Sequence, residues 1–145
     1  MDDLYHPRIM ELAADIPHVG RLDAPDGAAT KVSRVCGSVV TVELALEHGV
    51  VSKIAVHPKA CALGQAATGV LAMHAVGATP KEIRDARDAL RAMLKGEGPP
   101  PAGRFWELRH LEGVRDYPAR HASTMLAFDA AVEALDQARA KTSAK

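Results

Sequence analysis

The sequence contains two cysteines, Cys36 and Cys61, and these are the residues best suited to chemistry. Two are too few for a disulfide framework, and neither lies in a CxxC motif. Cysteine is among the most buried residue types, so two inert core thiols are one interpretation. A metal or sulfur site is the other, because the thiolate form of cysteine is both a metal ligand and a nucleophile.

The predicted secondary structure places both thiols at the ends of elements. Cys36 lies between the first two predicted strands, and Cys61 lies where the third strand passes into a buried helix. The exposed N–H groups and dipole of a helix N-terminus favour a thiolate there. A hairpin can bring both ends of a two-strand unit to one sheet edge, so we expect Cys36 near Cys61.

Alternating apolar and polar residues predict a hairpin in the first half of the chain. Its strands cover Val39 to Glu47 and Val50 to Val56, with His48-Gly49 as the turn. In the first of these, Val40, Val42, Leu44 and Leu46 share the buried face, and Thr41, Glu43, Ala45 and Glu47 share the wetter face.

A loop rich in Gly, Pro and Asp, from Pro17 to Ala29, precedes another predicted strand, which begins at Lys31 and runs into Cys36. The three strands are expected to form an antiparallel meander from about Lys31 to Val56. Near Pro58 the hydrophobic period changes from 2 to 3.6, which indicates that helices follow.

Four helices are predicted, and the best defined begins with the capping box Thr79-Pro80-Lys81-Glu82. The others are a short helix from Pro7 with Asp3 as its cap, a buried helix from Ala60 to Val76 and a long helix from Pro118 to about Ala140, with a helical turn in Arg104 to Leu111 and fraying ends at Lys141 to Lys145. Strands followed by helices indicate an α+β fold, a three-stranded antiparallel sheet packed against a layer of helices.

Length and composition predict one domain over residues 1–145, since 48% hydrophobic residues suffice for a single core. Eighteen Lys and Arg residues balance eighteen Asp and Glu residues, which argues against nucleic acid or a membrane surface as a partner. A membrane span and a signal peptide are not expected, so we expect a cytoplasmic protein.

Two segments around the cysteines, Val35-Cys36-Gly37-Ser38-Val39 and Lys59-Ala60-Cys61-Ala62-Leu63-Gly64, resemble the iron–sulfur cluster scaffold family of IscU, NifU N-terminal domains and SufU. The resemblance extends through Leu111 to Arg120 and Leu126-Ala127, so it covers nearly the whole chain. The extra stretch between Gly96 and Arg115 is similar to the insertion that distinguishes SufU-type proteins, and the SufU-like branch is therefore favoured.

The resemblance implies a set of ligand positions for iron, a cluster or zinc. Cys36 and Cys61 occupy two cysteine positions of the family, whereas Ser38 stands at the position of its CGD aspartate and Ser123 at that of its third cysteine. A neutral hydroxyl is a poor substitute for a thiolate or carboxylate ligand. Half of the implied ligand set is therefore replaced.

Two histidines are candidates for the missing ligands. His57 precedes Cys61 at the predicted strand end, and His121 lies close to Ser123. Neither is at a family ligand position. A solvated loop histidine and a residue on the packed face of the last helix are the alternative interpretations.

Three functions remain open at this point. The first is a scaffold or carrier in iron–sulfur cluster assembly that works with a cysteine desulfurase and apo-protein acceptors. The second is a SufU-like sulfur acceptor, in which Cys36 takes a persulfide beside a zinc ion. The third is a metal-free interaction module. No catalytic triad or phosphate-binding motif supports an unrelated enzyme.

The number of thiolate ligands in one chain leads to an expectation about the oligomeric state. One chain offers two thiolates, whereas iron–sulfur clusters usually need four, so a cluster would be shared by a homodimer through Cys36 and Cys61 of each copy. A monomer with His57, His121, glutathione or water as further ligands is the alternative.

Overall fold

A three-stranded antiparallel sheet forms one layer of the computed structural model, which describes residues 4–143. The elements follow as α1 (Pro7–Ala14), β1 (Gly27–Val32), β2 (Val39–Glu47), β3 (Val50–Lys59), α2 (Ala62–His74), α3 (Pro80–Leu94), a 3₁₀ segment (Gly103–Asp116), a 3₁₀ turn (Pro118–Arg120) and α4 (His121–Ser143). The strand order β1-β2-β3 and the helices that follow confirm the predicted α+β fold.

The first strand differs most from the prediction. β1 begins at Gly27 rather than Lys31 and ends at Val32, so the predicted loop over Pro17 to Ala29 contains the start of this strand. The backbone at Gly27 lies directly against the backbone of Ala134 in α4, where a Cβ would not fit. Composition alone indicated a loop because this packing involves a distant part of the chain.

The other sheet and helix boundaries move by a few residues. β3 continues to Lys59, so Pro58 lies inside it rather than after it. Proline is tolerated here because β3 is an edge strand. The N–H of Val56, two residues earlier, points away from β2 to the His18 carbonyl. The nitrogen of Pro58 lies on the same side as that N–H, so its missing hydrogen takes no hydrogen bond from β2. α2 begins at Ala62, which leaves Cys61 at its N-cap.

The helices near the two ends of the chain and the inserted segment also differ from the prediction. α1 begins at Pro7 as predicted with His6 at its N-cap, and the predicted cap Asp3 lies outside the described residues. The 3₁₀ segment Gly103–Asp116 is longer than the predicted turn, and its Phe105 ring packs 5.4 Å from that of Phe128. α4 begins at His121 and runs through Ser143, beyond the predicted start of fraying.

One hydrophobic core lies between the helices and the inner face of the sheet. Val40, Val42 and Leu44 are completely buried there, as their alternation predicted. The capping box of α3 is confirmed, since the Thr79 hydroxyl accepts from the Glu82 N–H at 3.1 Å and the Glu82 carboxylate accepts from the Thr79 N–H at 3.0 Å. Among residues 4–143, no helix is both long and apolar enough to cross a membrane.

A loop from residue 17 to residue 26 crosses the outer face of the sheet. It pairs with the β3 edge, where Gly20 donates to the Val56 carbonyl at 2.9 Å, before reaching β1. Glu43 was predicted on the wetter face, but its side chain is buried beneath this loop. Its carboxylate accepts from Arg21 Nε and from the Leu22 N–H, each at 2.7 Å.

We predict that Glu43→Ala lowers the free energy of unfolding by about 1–2 kcal/mol, because the Leu22 N–H loses its acceptor. The Arg21 ion pair adds little, since the arginine is largely exposed. Urea unfolding measures the effect, with Glu47→Ala at the exposed end of the same strand as the control. Glu43→Gln keeps one acceptor oxygen and should lose less. Equal stability of Glu43→Ala and Glu47→Ala would contradict this role.

Candidate functional site

Cys36 is carried by the tight connection between β1 and β2. Ser33 and Ser38 close this connection, since the Ser33 N–H donates to the Ser38 carbonyl at 2.8 Å. Gly37 has a φ of +74°, a left-handed conformation that strains residues with a Cβ. The turn directs Ser38 inward, where it is 4% exposed, and leaves Cys36 exposed at the tip.

Two hydroxyl groups surround the Cys36 sulfur. Ser38 Oγ lies 3.0 Å from Cys36 Sγ, and Ser33 Oγ lies 3.6 Å from it. These hydroxyls, Ser38 foremost, lower the pKa of Cys36 from 9.0 to about 7. Burial opposes the change only weakly because the side chain is exposed. Cys36 is therefore partly thiolate near neutral pH.

Cys61 occupies the N-cap of α2 and is partly buried. Burial raises the pKa of its thiol, but the Ser123 hydroxyl and the N–H groups of Leu63 and Gly64 outweigh burial, so the pKa lies below 9.0. These N–H groups face the sulfur from the first turn of α2 without closing a regular capping hydrogen bond. The predicted effect of a helix N-terminus on Cys61 is thus present.

A close approach of α2 to α4 places Ser123 beside Cys61. A Cβ on Gly64 would lie 3.0 Å from the Ser123 carbonyl oxygen and 2.8 Å from Ala60 Cβ, so only glycine allows this packing. Ser123 is 1% exposed, and its hydroxyl lies 3.4 Å from Cys61 Sγ. The start of α4 is therefore fixed against the head of α2.

The structure brings the four predicted positions together. Ser38 Oγ, already in contact with Cys36, accepts from the Cys61 N–H at 3.4 Å. Ser123 Oγ lies 3.4 Å from Cys61 Sγ, and its hydroxyl is the weakest of the groups that lower the pKa of Cys36. Ser38 therefore links the Cys36 thiol to the Cys61 backbone, and Ser123 contacts the Cys61 thiol.

The two histidine candidates lie in different surroundings. His57 is exposed on the outer face of the sheet, in register with Thr41 of β2. His121 directs Nε2 to the carbonyl oxygens of Val114 and Arg115, at 2.9 and 3.2 Å. Within residues 4–143, no group of three or more His, Cys, Asp or Glu side chains could hold one metal ion. Ligand roles for all these residues stay predictions.

The sequence analysis missed two contributors to the site. Ser33 is 2% exposed and was assigned only to a strand, although its position three residues before Cys36, in a turn with Gly37, is a local signal. The Arg120 carbonyl was also missed. It accepts from Ser123 Oγ at 3.2 Å and from Thr124 Oγ1 at 2.8 Å.

The fold and the site together define a small α+β domain with two neighbouring free cysteines at one end of its sheet. Comparison with known proteins identifies the family. The chain belongs to the family of NifU-like N-terminal domains, whose family model matches residues 4–144. This family includes iron–sulfur cluster assembly scaffold proteins.

Three relatives illustrate the relationship. A crystal structure of a nitrogen-fixing NifU-like protein (N-terminal) from Brucella abortus is 50% identical, with a TM-score of 0.94 over 97% of each chain. The iron–sulfur cluster assembly scaffold protein IscU of Thermotoga maritima is 25% identical over 91% of this chain and 92% of its own. A putative scaffold protein for the SUF system from Fervidobacterium islandicum AW-1 shares the fold, with a TM-score of 0.83 at 20% identity over 91% of this chain and 96% of that one.

We predict that Gly64→Ala destabilises the protein by about 1–3 kcal/mol, the usual effect of overpacking. The gain in helix propensity, at most about 1 kcal/mol, is smaller. The backbone carbonyl of Ser123 cannot move aside without shifting α4. Gly113→Ala is the control, because its Cβ would meet Leu4 at an ordinary 3.9 Å. Urea unfolding of both variants measures the effect. A Gly64→Ala protein as stable as the natural protein would contradict the close approach of α2 to α4.

We also predict that Ser38→Ala raises the pKa of Cys36, because the thiolate loses its main hydrogen-bond donor. Alkylation of Cys36 in the metal-free protein, followed by peptide mass spectrometry across pH, should show a midpoint near 7 in the natural protein. The variant should show a higher midpoint and slower reaction at neutral pH. Ser52→Ala, which removes a hydroxyl bonded to Ala45, is the control. Identical profiles for Ser38→Ala and the natural protein would refute the assignment.

Proposed function

We propose that this protein is a scaffold or carrier in iron–sulfur cluster assembly. It accepts sulfur from a cysteine desulfurase at Cys36, holds iron or a cluster through Cys36 and Cys61, and passes the cluster to apo-proteins. The single observation that carries the proposal is the meeting of Cys36 and Cys61 at the end of the sheet, where Ser38 contacts Cys36 Sγ and the Cys61 N–H. The similarity to a scaffold protein named IscU supports it.

Access to Cys36 suits transfer between proteins. Cys36 is exposed, and the neighbouring Val35 is 70% exposed, which gives a partner an apolar contact beside the reactive sulfur. A desulfurase must bring its own persulfide within bonding distance of the accepting thiolate. A thiol at the tip of a hairpin meets this requirement better than one inside a cleft.

Sulfur acceptance follows from the thiolate character of Cys36. The thiolate attacks the terminal sulfur of the desulfurase persulfide and forms a bond between Cys36 Sγ and that sulfur. The sulfur–sulfur bond of the desulfurase breaks, and its electron pair leaves on the desulfurase thiolate. No external oxidant or reductant is required. With a pKa of about 7, a substantial fraction of Cys36 is the nucleophilic thiolate near neutral pH.

Cluster binding requires more ligands than one chain supplies. Ser38 and Ser123 are almost completely buried and already bonded to the thiols, so their neutral hydroxyls orient the sulfurs rather than replace thiolates. We propose that two copies share a cluster, each contributing Cys36 and Cys61, since four thiolates hold a [2Fe–2S] centre. The exposed position of Cys36 allows a second copy to approach.

A SufU-like sulfur acceptor is the second candidate, and the exposed Cys36 thiol with its lowered pKa favours it. The zinc ion of that interpretation would need ligands beyond the two cysteines, and among the described residues no third His, Cys, Asp or Glu joins them. A sulfur acceptor without zinc requires only Cys36. This second candidate therefore corresponds to the sulfur-accepting step of the proposed scaffold function without cluster binding.

Shared cluster binding gives a direct prediction. After anaerobic reconstitution with ferrous iron and sulfide, native mass spectrometry should show the cluster on a dimer of the natural protein. Cys36→Ser and Cys61→Ser should each abolish it, because two thiolates per cluster are lost. Ser123→Cys adds a thiol beside Cys61 and should increase the cluster found on single chains. A cluster on one natural chain, or its retention after either Cys→Ser change, would contradict sharing.

A further inference from the structure

The two thiols of the site differ in exposure and in hydrogen bonding. Cys36 is exposed, its sulfur lies 3.0 Å from the Ser38 hydroxyl, and its S–H donates to Ser33 Oγ at 3.6 Å. Cys61 is partly buried, and its sulfur meets the Ser123 hydroxyl at 3.4 Å. One thiol is therefore placed to meet a partner, and the other is held behind it.

Hydrogen-bond directions in the site match this difference. The Cys61 N–H donates to Ser38 Oγ, which leaves the Ser38 hydrogen for the Cys36 sulfur. Ser123 Oγ donates to the Arg120 carbonyl and can accept the S–H of Cys61. Thr124 also donates to that carbonyl, so Ser123 can turn to a sulfur without leaving the carbonyl unsatisfied. The arrangement favours thiolate at Cys36, and it lets the Ser123 hydroxyl accept the Cys61 proton when Cys61 ionises.

The contacts of Ser38 and Ser123 place the two cysteines side by side. Ser123 Oγ lies 3.4 Å from Cys61 Sγ. Ser38 touches Cys36 Sγ and the Cys61 backbone. The sequence contains no cysteine besides Cys36 and Cys61, so Cys61 is the one other thiol in the chain that could react with a persulfide on Cys36.

We propose that Cys36 and Cys61 form a resolving pair that reduces the accepted sulfur to sulfide within the protein. This inference rests on the sulfur-accepting step of the proposed function. Cys61 Sγ attacks the inner sulfur of the Cys36 persulfide, and a Cys36–Cys61 disulfide forms while the bond to the outer sulfur breaks. The outer sulfur leaves with the electron pair as hydrosulfide, and takes the Cys61 proton through the Ser123 hydroxyl.

The step balances without another reactant. The outer sulfur gains two electrons and becomes sulfide, and the two cysteine sulfurs lose two electrons and become a disulfide. A thiol reductant, such as a dithiol protein or glutathione, must then reduce the disulfide before the cysteines can bind metal. Sulfide release therefore comes before iron binding in each cycle.

The test uses metal-free full-length protein under anaerobic conditions. Cys36 is loaded with cysteine persulfide, whose outer sulfur passes to the Cys36 thiolate while cysteine leaves as the thiol. Excess donor is removed, and intact-protein mass spectrometry follows the bound sulfur. The natural protein should lose the sulfur atom, release sulfide and form a Cys36–Cys61 disulfide found by peptide mapping. Cys61→Ser should keep the persulfide on Cys36 and release no sulfide.

Ser123→Ala provides a positioning test. It should still take the persulfide but release sulfide about tenfold more slowly, the effect of losing one hydrogen bond to a charged group. Ser52→Ala, far from both thiols on β3, should match the natural protein. Circular dichroism confirms that each variant is folded.

Two outcomes overturn the inference, and they are distinguishable. A persulfide that persists on the natural protein as long as on Cys61→Ser would refute the resolving pair and leave sulfur acceptance intact. Absence of any persulfide on Cys36 in both proteins would refute sulfur acceptance in the proposed function as well.

Discussion

The close contact between the head of α2 and the start of α4 determines the geometry of the site. It exists because Gly64 has no side chain, which lets the Ser123 backbone approach the first turn of α2. Cys61 and Ser123 meet only because of this contact. The β1–β2 turn then reaches the same point, since Ser38 accepts from the Cys61 N–H and contacts Cys36. The β1–β2 turn and the start of α4 are thereby both held within hydrogen-bond distance of Cys61.

Serine at positions 38 and 123 changes what such a site can do. A carboxylate and a third thiolate would add charge and metal ligands, whereas two buried hydroxyls add neither. They stabilise thiolates instead, and the pKa of each cysteine lies below 9.0. In the function that we propose, sulfur chemistry takes place on one chain and a cluster binds between two. Membership of the NifU-like family defines the fold, and these two positions distinguish the chemistry that we propose.

Local signals in the sequence were sufficient for some elements and insufficient for others. The bounds of β2 and the capping box of α3 were predicted correctly, because alternation and capping depend on neighbouring residues. The start of β1 was missed because Gly27 is fixed by contact with Ala134, and the burial of Glu43 was missed because a distant loop covers it. The meeting of the four site positions followed from family resemblance. Their hydrogen bonds, and the part played by Ser33, required coordinates.

Analysis of iron, zinc and acid-labile sulfide in the anaerobically purified protein tests the central claim most directly. The central claim is that Cys36 and Cys61 act together and bind a cluster that is later passed on. It predicts iron and acid-labile sulfide in equal amounts, and the loss of both in Cys36→Ser and Cys61→Ser. Zinc without sulfide would contradict it. So would the absence of both metal and sulfide from the natural protein after incubation with a cysteine desulfurase, cysteine, a thiol reductant and ferrous iron.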